Sequence, residues 1–288
     1  MRLPSSIILF LALVPVCYAQ RFRFSPLTES LIQQREANPP ASQEDRATRI
    51  KQLFTEAGCR HDRLSEQPLE NPARTNIICR LPGKSKETII VGANYSPDVL
   101  DNWSGASLLP SLFQSLTNRK RHHTFIFVAF ADGRRDLAGA QFFAGQMNQS
   151  EVDQTDAMIN LDALGFSPTK ISSSASDKKL VESFFTVVYA LRQMGSQVDL
   201  SKAVAVDSAP FASRQIPQIT IHSLTPDAVA DLHVPDVPEQ PIVATTDANF
   251  AHIDAGFRSN LYYESYHLIS GYLAYLDETL KPKHNKNK

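Results

Sequence analysis

The stretch TFIFVAFADGRRDLAGAQFF, running from Thr124 to Phe143, decides the fold. From Thr124 to Ala131 it is an unbroken run of apolar and β-branched residues, the pattern of a strand covered on both faces at the centre of a parallel sheet. Asp132-Gly133 stops the run, and Leu137, Phe142 and Phe143, separated by small residues, predict a helix that packs back onto the sheet. Residues Asp132 to Asp136 then face the crevice outside the carboxyl ends of the strands, where open α/β sheets bind ligands. Asp101-Asn102-Trp103-Ser104-Gly105, after one strand, and Asn160-Leu161-Asp162, at the end of another, point to the same crevice.

Outward from this strand, helices and strands alternate. Thr88 to Ala93 reads as a buried strand, Ser104 to Leu116 as an amphipathic helix, and Ala157 to Leu161 as a strand. Leu180 to Leu191 reads as a helix, Gln218 to His222 as a late strand, and Tyr262 to Leu276 as part of a long closing helix. Upstream, a short helix is expected at Thr28 to Arg35, and Ser42 opens another that Gly58 ends. Arg63 to Leu69 and Asn76 to Leu81 form a hairpin. The long irregular stretch from Pro226 to Asp254 reads as a functional rim. The alternation predicts an α/β fold, doubly wound, with a mostly parallel central sheet and helices on both faces.

The composition of the 288 residues, 42% hydrophobic and 20% charged, suits one sizeable core. A net charge of -1 provides no whole-chain field for nucleic acid, and none is expected as a partner. Residues 1–19 read as a signal peptide, with Arg2, the apolar run Ile7 to Val16 and Cys17-Tyr18-Ala19, which places the chain in a secreted or periplasmic setting. Cys17 as a lipid-attachment site is the alternative. No integral membrane segment remains after signal removal. Residues 20–41 are an N-terminal extension, 42–280 one domain, and 281–288 a flexible basic tail; Arg119-Lys120-Arg121 reads as a solvated loop. Cys59 and Cys79, symmetric about the turn at Gln67 to Asn71, are expected to form a disulfide opposite one another in the hairpin, with two buried thiols as the alternative. Asn-x-Ser triplets at Asn94, Asn102 and Asn148 read as chance.

Asp101 and Asp162 each follow or end a buried strand. Such carboxylates either cap loops or gather a hard cation or zinc. At this point the ordered set of Thr88 to Ser96, Asp101 to Ser107, Phe127 to Phe143, Asn160 to Gly165, Asp207 to Phe211 and Ile216 to Thr220 resembles metallopeptidase family twenty-eight, the two-zinc aminopeptidases, over roughly Ser42 to Leu280. Glutaminyl cyclases share that zinc-exopeptidase-like fold with a single zinc.

The resemblance implies Asp101 as the bridging carboxylate, Asp162 as a second-zinc ligand and His233 as the last ligand, with His222 and His252 as weaker candidates. It also implies substitutions. The first-zinc histidine is matched by Asn94, with Ser96 at the aspartate after it; the general base is matched by Gly133, and a metal-binding glutamate by Arg134. A glycine accepts no proton and a guanidinium repels a dication. The expectation is a family member without hydrolytic activity that binds a peptide or protein ligand in the relic cleft. Its retained ligand positions are expected to stand empty, no cofactor is expected, and Arg134 is expected to pair with Asp101 or Asp162. The alternative is an active zinc aminopeptidase using Asp162 and His233, or Asp132 and Asp136 as substitute ligands. A cyclase or amidohydrolase relative is the third reading.

Overall fold

The computed structural model describes residues 23–60, 62–71, 74–97, 103–131, 137–172, 174, 176–200, 206–232 and 256–280, without the side chains of 231 and 232. The expected signal peptide at 1–19, with Cys17, and the tail at 281–288 fall outside them.

The strands are β1 (Leu64–Pro68), β2 (Thr75–Leu81), β3 (Thr88–Asn94), β4 (Thr124–Phe130), β5 (Thr155–Leu161), β6 (Lys170–Ile171), β7 (Ser196–Gln197) and β8 (Gln218–His222). They form one sheet in the order β1-β2-β4-β3-β5-β8-β6-β7. β4, β3, β5 and β8 are mutually parallel and carry the centre, whereas β2 joins β4 and β6 joins β8 antiparallel. The helices are α1 (Glu29–Glu36), α2 (Gln43–Glu56), α3 (Trp103–Thr117), α4 (Ala138–Gln146), α5 (Gln149–Asp153), α6 (Lys178–Leu191), α7 (Ala209–Ser213), α8 (Pro226–Leu232) and α9 (Ser259–Thr279).

Side chains alternate across a strand, so each central strand supplies both faces. Ile89, Val91 and Ala93 of β3 join Phe125, Phe127 and Ala129 of β4 under α2, α3, α6 and α9. Ile90, Val128, Phe130 and Met158 point the other way, against Ala140 and Ala144 of α4 and Phe211 of α7. This two-sided burial is why the central strands read as continuous apolar runs. Gly92 permits one close crossing: a Cβ there would lie 2.3 Å from the Phe130 ring.

Two local expectations are corrected. α3 is not amphipathic but buried on all sides, because the sheet covers one flank and α1, α2 and α9 the other. Its serines are spent on neighbours: Ser107 bonds the Tyr262 hydroxyl at 2.9 Å, and Ser111 accepts from Arg35 at 2.9 Å. The Cys59–Cys79 disulfide forms, with its Cα atoms 6.4 Å apart, but not as a cross-strand pair. Cys79 faces Leu64 in the β1–β2 register, and Cys59 lies just past α2, so the bridge pins α2 to the sheet.

Candidate functional site

The strand ends position the candidate residues. Ala93 of β3 pairs with Leu161 of β5, so Asn94 and Asp162 are the next positions on adjacent strands at the carboxyl edge. Asn94 also pairs with Phe130, the last residue of β4. The fold therefore brings the ends of β3, β4 and β5 to one place. Asp162 is half-buried, and its backbone N–H donates to the Ile221 carbonyl at 2.9 Å. Asp101, Asp132, Gly133, Arg134, Asp136, His233 and His252 lie outside the described residues.

Asn94 is 6% exposed. Its Oδ1 accepts the Ser96 N–H at 2.6 Å, an Asx-type turn that begins the loop after β3. Its Nδ2 is buried and has no hydrogen-bond partner among the described residues. The oxygen thus gives one of its two lone pairs to the backbone, and the other end of the side chain is a donor. A donor N–H offers a metal nothing to coordinate.

The loop that follows is held from below by Arg46 of α2, which the sequence reading passed over. Arg46 Nη1 donates to the Ser96 carbonyl at 3.0 Å, Nε donates to the Pro40 carbonyl at 2.7 Å, and the guanidinium sits 5.7 Å from the Trp103 ring centroid. Trp103 opens α3 and donates through Nε1 to the Glu36 carbonyl at 2.7 Å. At the next residue, Ser104 Oγ accepts the Leu164 N–H at 2.9 Å. Gly105 allows this closeness, since a Cβ there would meet the Leu161 carbonyl at 2.7 Å. The loop after β3, the start of α3 and the loop after β5 are thereby cross-linked by the chain itself.

His222 is excluded as a ligand. Its Nδ1 accepts the Leu224 N–H at 3.1 Å, and its Nε2 donates to the Val198 carbonyl at 3.0 Å. Burial above all, with the Lys170 charge adding to it, pushes its pKa down to about 4. Both ring nitrogens of this neutral imidazole are occupied. Lys170, its neighbour across β6 and β8, is 7% exposed and donates to the Pro168 carbonyl at 2.9 Å and to Ser167 Oγ. Burial lowers its pKa. Among the described residues no group of three or more His, Cys, Asp or Glu could hold a metal ion.

Residues 76–286 match the model of Peptidase family M28. The chain belongs to this family. A solved structure of LapB from Legionella pneumophila is similar over 87% of this chain and 72% of its own, with 17% identity and a TM-score of 0.68. The zinc aminopeptidase BSAP from Bacillus subtilis matches at 18% identity and a TM-score of 0.56, covering 73% of this chain. The chain spans about half of that enzyme, 51% of its length. A glutaminyl cyclase from an Acidobacteriales bacterium matches at 15% identity and a TM-score of 0.62, over 88% of this chain and 97% of its own. No curated protein matches the sequence.

Membership of M28 corrects one expectation. No cofactor was expected from the substituted ligands, yet the family and its zinc aminopeptidase neighbours point to zinc. Asn94 is a poor stand-in for a zinc-binding histidine, because zinc takes imidazole and thiolate far more readily than a neutral amide oxygen, and this oxygen already accepts the Ser96 N–H.

Proposed function

We propose that this M28 chain has lost peptide hydrolysis and uses the crevice at the carboxyl ends of β3, β4 and β5 to bind a peptide or protein ligand outside the cytoplasm. The observation that carries the reading is the Asn94 turn: the residue standing where the family places its first zinc ligand is committed to the Ser96 backbone. The sequence adds Gly133 at the position of the general base and Arg134 at that of a second ligand. Zinc held by Asp101, Asp162 or His233 would not restore turnover, since hydrolysis also needs a proton acceptor beside the attacking water. Arg134 pairs with Asp101 or Asp162 in this reading, giving the remaining acids a planar donor. The apolar run at 7–16 and the Cys59–Cys79 disulfide support export to a compartment that permits disulfides. Among the described residues no helix is long and apolar enough to cross a membrane.

The test compares the native chain with the triple variant Asn94→His, Gly133→Glu, Arg134→Glu, both supplied with zinc, on short peptides. The reading expects activity in the variant alone. Chelator-sensitive turnover by the native chain sinks it.

One observation favours a second reading. The chain covers 97% of the length of the Acidobacteriales glutaminyl cyclase, against 51% of the Bacillus aminopeptidase, so its size suits the compact cyclase frame. Release of ammonia from peptides with N-terminal glutamine, without cleavage of other peptides, would select that reading.

A further inference from the structure

Asn94, Asp162, His222 and Lys170 stand in one row at the carboxyl edge of the sheet, across the neighbouring strands β3, β5, β8 and β6. Ala93 pairs with Leu161 and Leu161 with Ile221, so Asn94, Asp162 and His222 are each the next position along, and His222 pairs with Lys170, where β6 begins. The Asp162 N–H continues this ladder by donating to the Ile221 carbonyl at 2.9 Å. All four residues share a face. Ile219, Ile221 and Ile171 belong to the core under α3, α6 and α9, which turns His222 and Lys170 the other way. Ile90 and Met158, four residues before Asn94 and Asp162, belong to the core under α4 and α7.

The two ends of the row carry unmet requirements. Lys170 is 7% exposed, a depth at which a lysine is almost always paired with an acid. Its ammonium meets neutral oxygens instead, the Pro168 carbonyl at 2.9 Å and Ser167 Oγ, and burial lowers its pKa with no acid pulling the other way. Asp162, two strand spacings off, is about 10 Å away and beyond ion-pair reach. Asp199, on the far side, takes the Ser172 hydroxyl at 3.3 Å and that of Ser174. A buried charge left this way is costly until an anion meets it. The bond from Lys170 to Pro168 is only partly buried, so the ammonium sits at the rim of the crevice. At the other end, Asn94 Nδ2 is a buried donor with no hydrogen-bond partner among the described residues.

Building on the peptide-binding reading above, we propose that Lys170 receives a carboxylate of the peptide held in the crevice, while Asn94 Nδ2 donates to a carbonyl of the same peptide. The two groups are three strand spacings apart, about 14 Å, the reach of roughly four extended residues. The row also sets the direction of the peptide. Asp162, next to Asn94, repels a carboxylate, so that group belongs at the Lys170 end. His222, between them, is neutral and has both ring nitrogens occupied, so it adds no competing charge. The carboxylate comes from the C terminus of the peptide or from an Asp or Glu side chain, and both present the same two oxygens to the ammonium.

The test is equilibrium dialysis of the purified native chain, in chelator, against three tetrapeptide libraries of Ala, Ser, Leu and Phe. One has a free C-terminal carboxylate, one a C-terminal amide, and one a C-terminal amide with Glu added at a single position. The neutral amide library is expected to be retained about tenfold less than at least one of the others, the ratio that a hydrogen bond to a charged group supports. The better retained of the two carboxylate libraries identifies the source. Lys170→Met is expected to retain all three libraries alike and to melt no lower than the native chain, since it removes an unpaired buried charge. Should that variant fail to fold, Lys170→Gln is expected to lose the preference in the same way. Equal retention of all three libraries by the native chain, or a preference that survives in the variant, overturns the proposal while leaving peptide binding in place. Retention of none of them overturns it together with the peptide-binding reading.

Discussion

His123 Nε2 lies 3.3 Å from Asp156 Oδ2 at the amino edge of the sheet, with both side chains almost fully buried. On the other side of the ring, Nδ1 is 3.2 Å from Asp277 Oδ1 of α9, so one imidazole ties β5 to the closing helix. Burial is the largest single influence and disfavours the cation. Hydrogen bonds to Asp156 and Asp277, with their charges, outweigh it and raise the pKa to about 9. A folded pKa above the unfolded value of about 6.5 contributes stability that is complete below about 6.5 and lost as pH rises through about 9. Urea unfolding should therefore show the native chain less stable at about pH 10 than at about pH 6, by up to about 3 kcal/mol. His123→Gln should flatten that difference; an unchanged pH slope in the variant would remove His123 as its source.

The Asn94 turn predicts an exchange between stability and metal affinity. Asn94→Asp keeps the acceptor for Ser96 N–H but replaces a buried donor with a buried charge near Asp162. In chelator its melting temperature should fall below that of the native chain, at a cost of about 1 to 3 kcal/mol. Added zinc should raise the variant's melting temperature more than the native chain's. An equal zinc response in both proteins would show that position 94 does not limit the site.

Reducing the Cys59–Cys79 bridge releases a loop spanning a sequence separation of 20. The double variant Cys59→Ala, Cys79→Ala should lose about 3 kcal/mol in denaturant unfolding, and reductant should destabilise the native chain but not the variant. Reductant-insensitive unfolding of the native chain would rule the bridge out.

Gly92→Ala should destabilise by about 2 kcal/mol, because the added methyl runs into the Phe130 ring. Combined with Phe130→Leu, the two costs should sum to less than their separate values in a double-mutant cycle, which additive costs would contradict.

The sheet was legible where burial left a simple pattern. β3, β4 and β5 are covered on both faces and read as continuous apolar runs, and Ser42 capping Asp45 N–H at 3.1 Å marked the start of α2. β6 and β7, two residues each, are too short to carry a period and were not read. α3 misled because its serines look like a polar face until Arg35, Tyr262 and Ser270 are placed against them. In the site, Asn94 and Asp162 were located by motif, but Arg46 gave no signal, since an arginine on an amphipathic helix reads as solvated. Its role depends on the Ser96 carbonyl and the Trp103 ring, far away in sequence. His222 was a weaker candidate for the last ligand that the family resemblance implies; the partners of its two nitrogens show otherwise.

The most direct test of lost hydrolysis is the rate at which the purified native chain, saturated with zinc, releases N-terminal residues from short peptides. The account predicts no release above that of zinc-containing buffer. Chelator-sensitive release at about 1 per second or faster, within the ordinary range of enzymes, would contradict it.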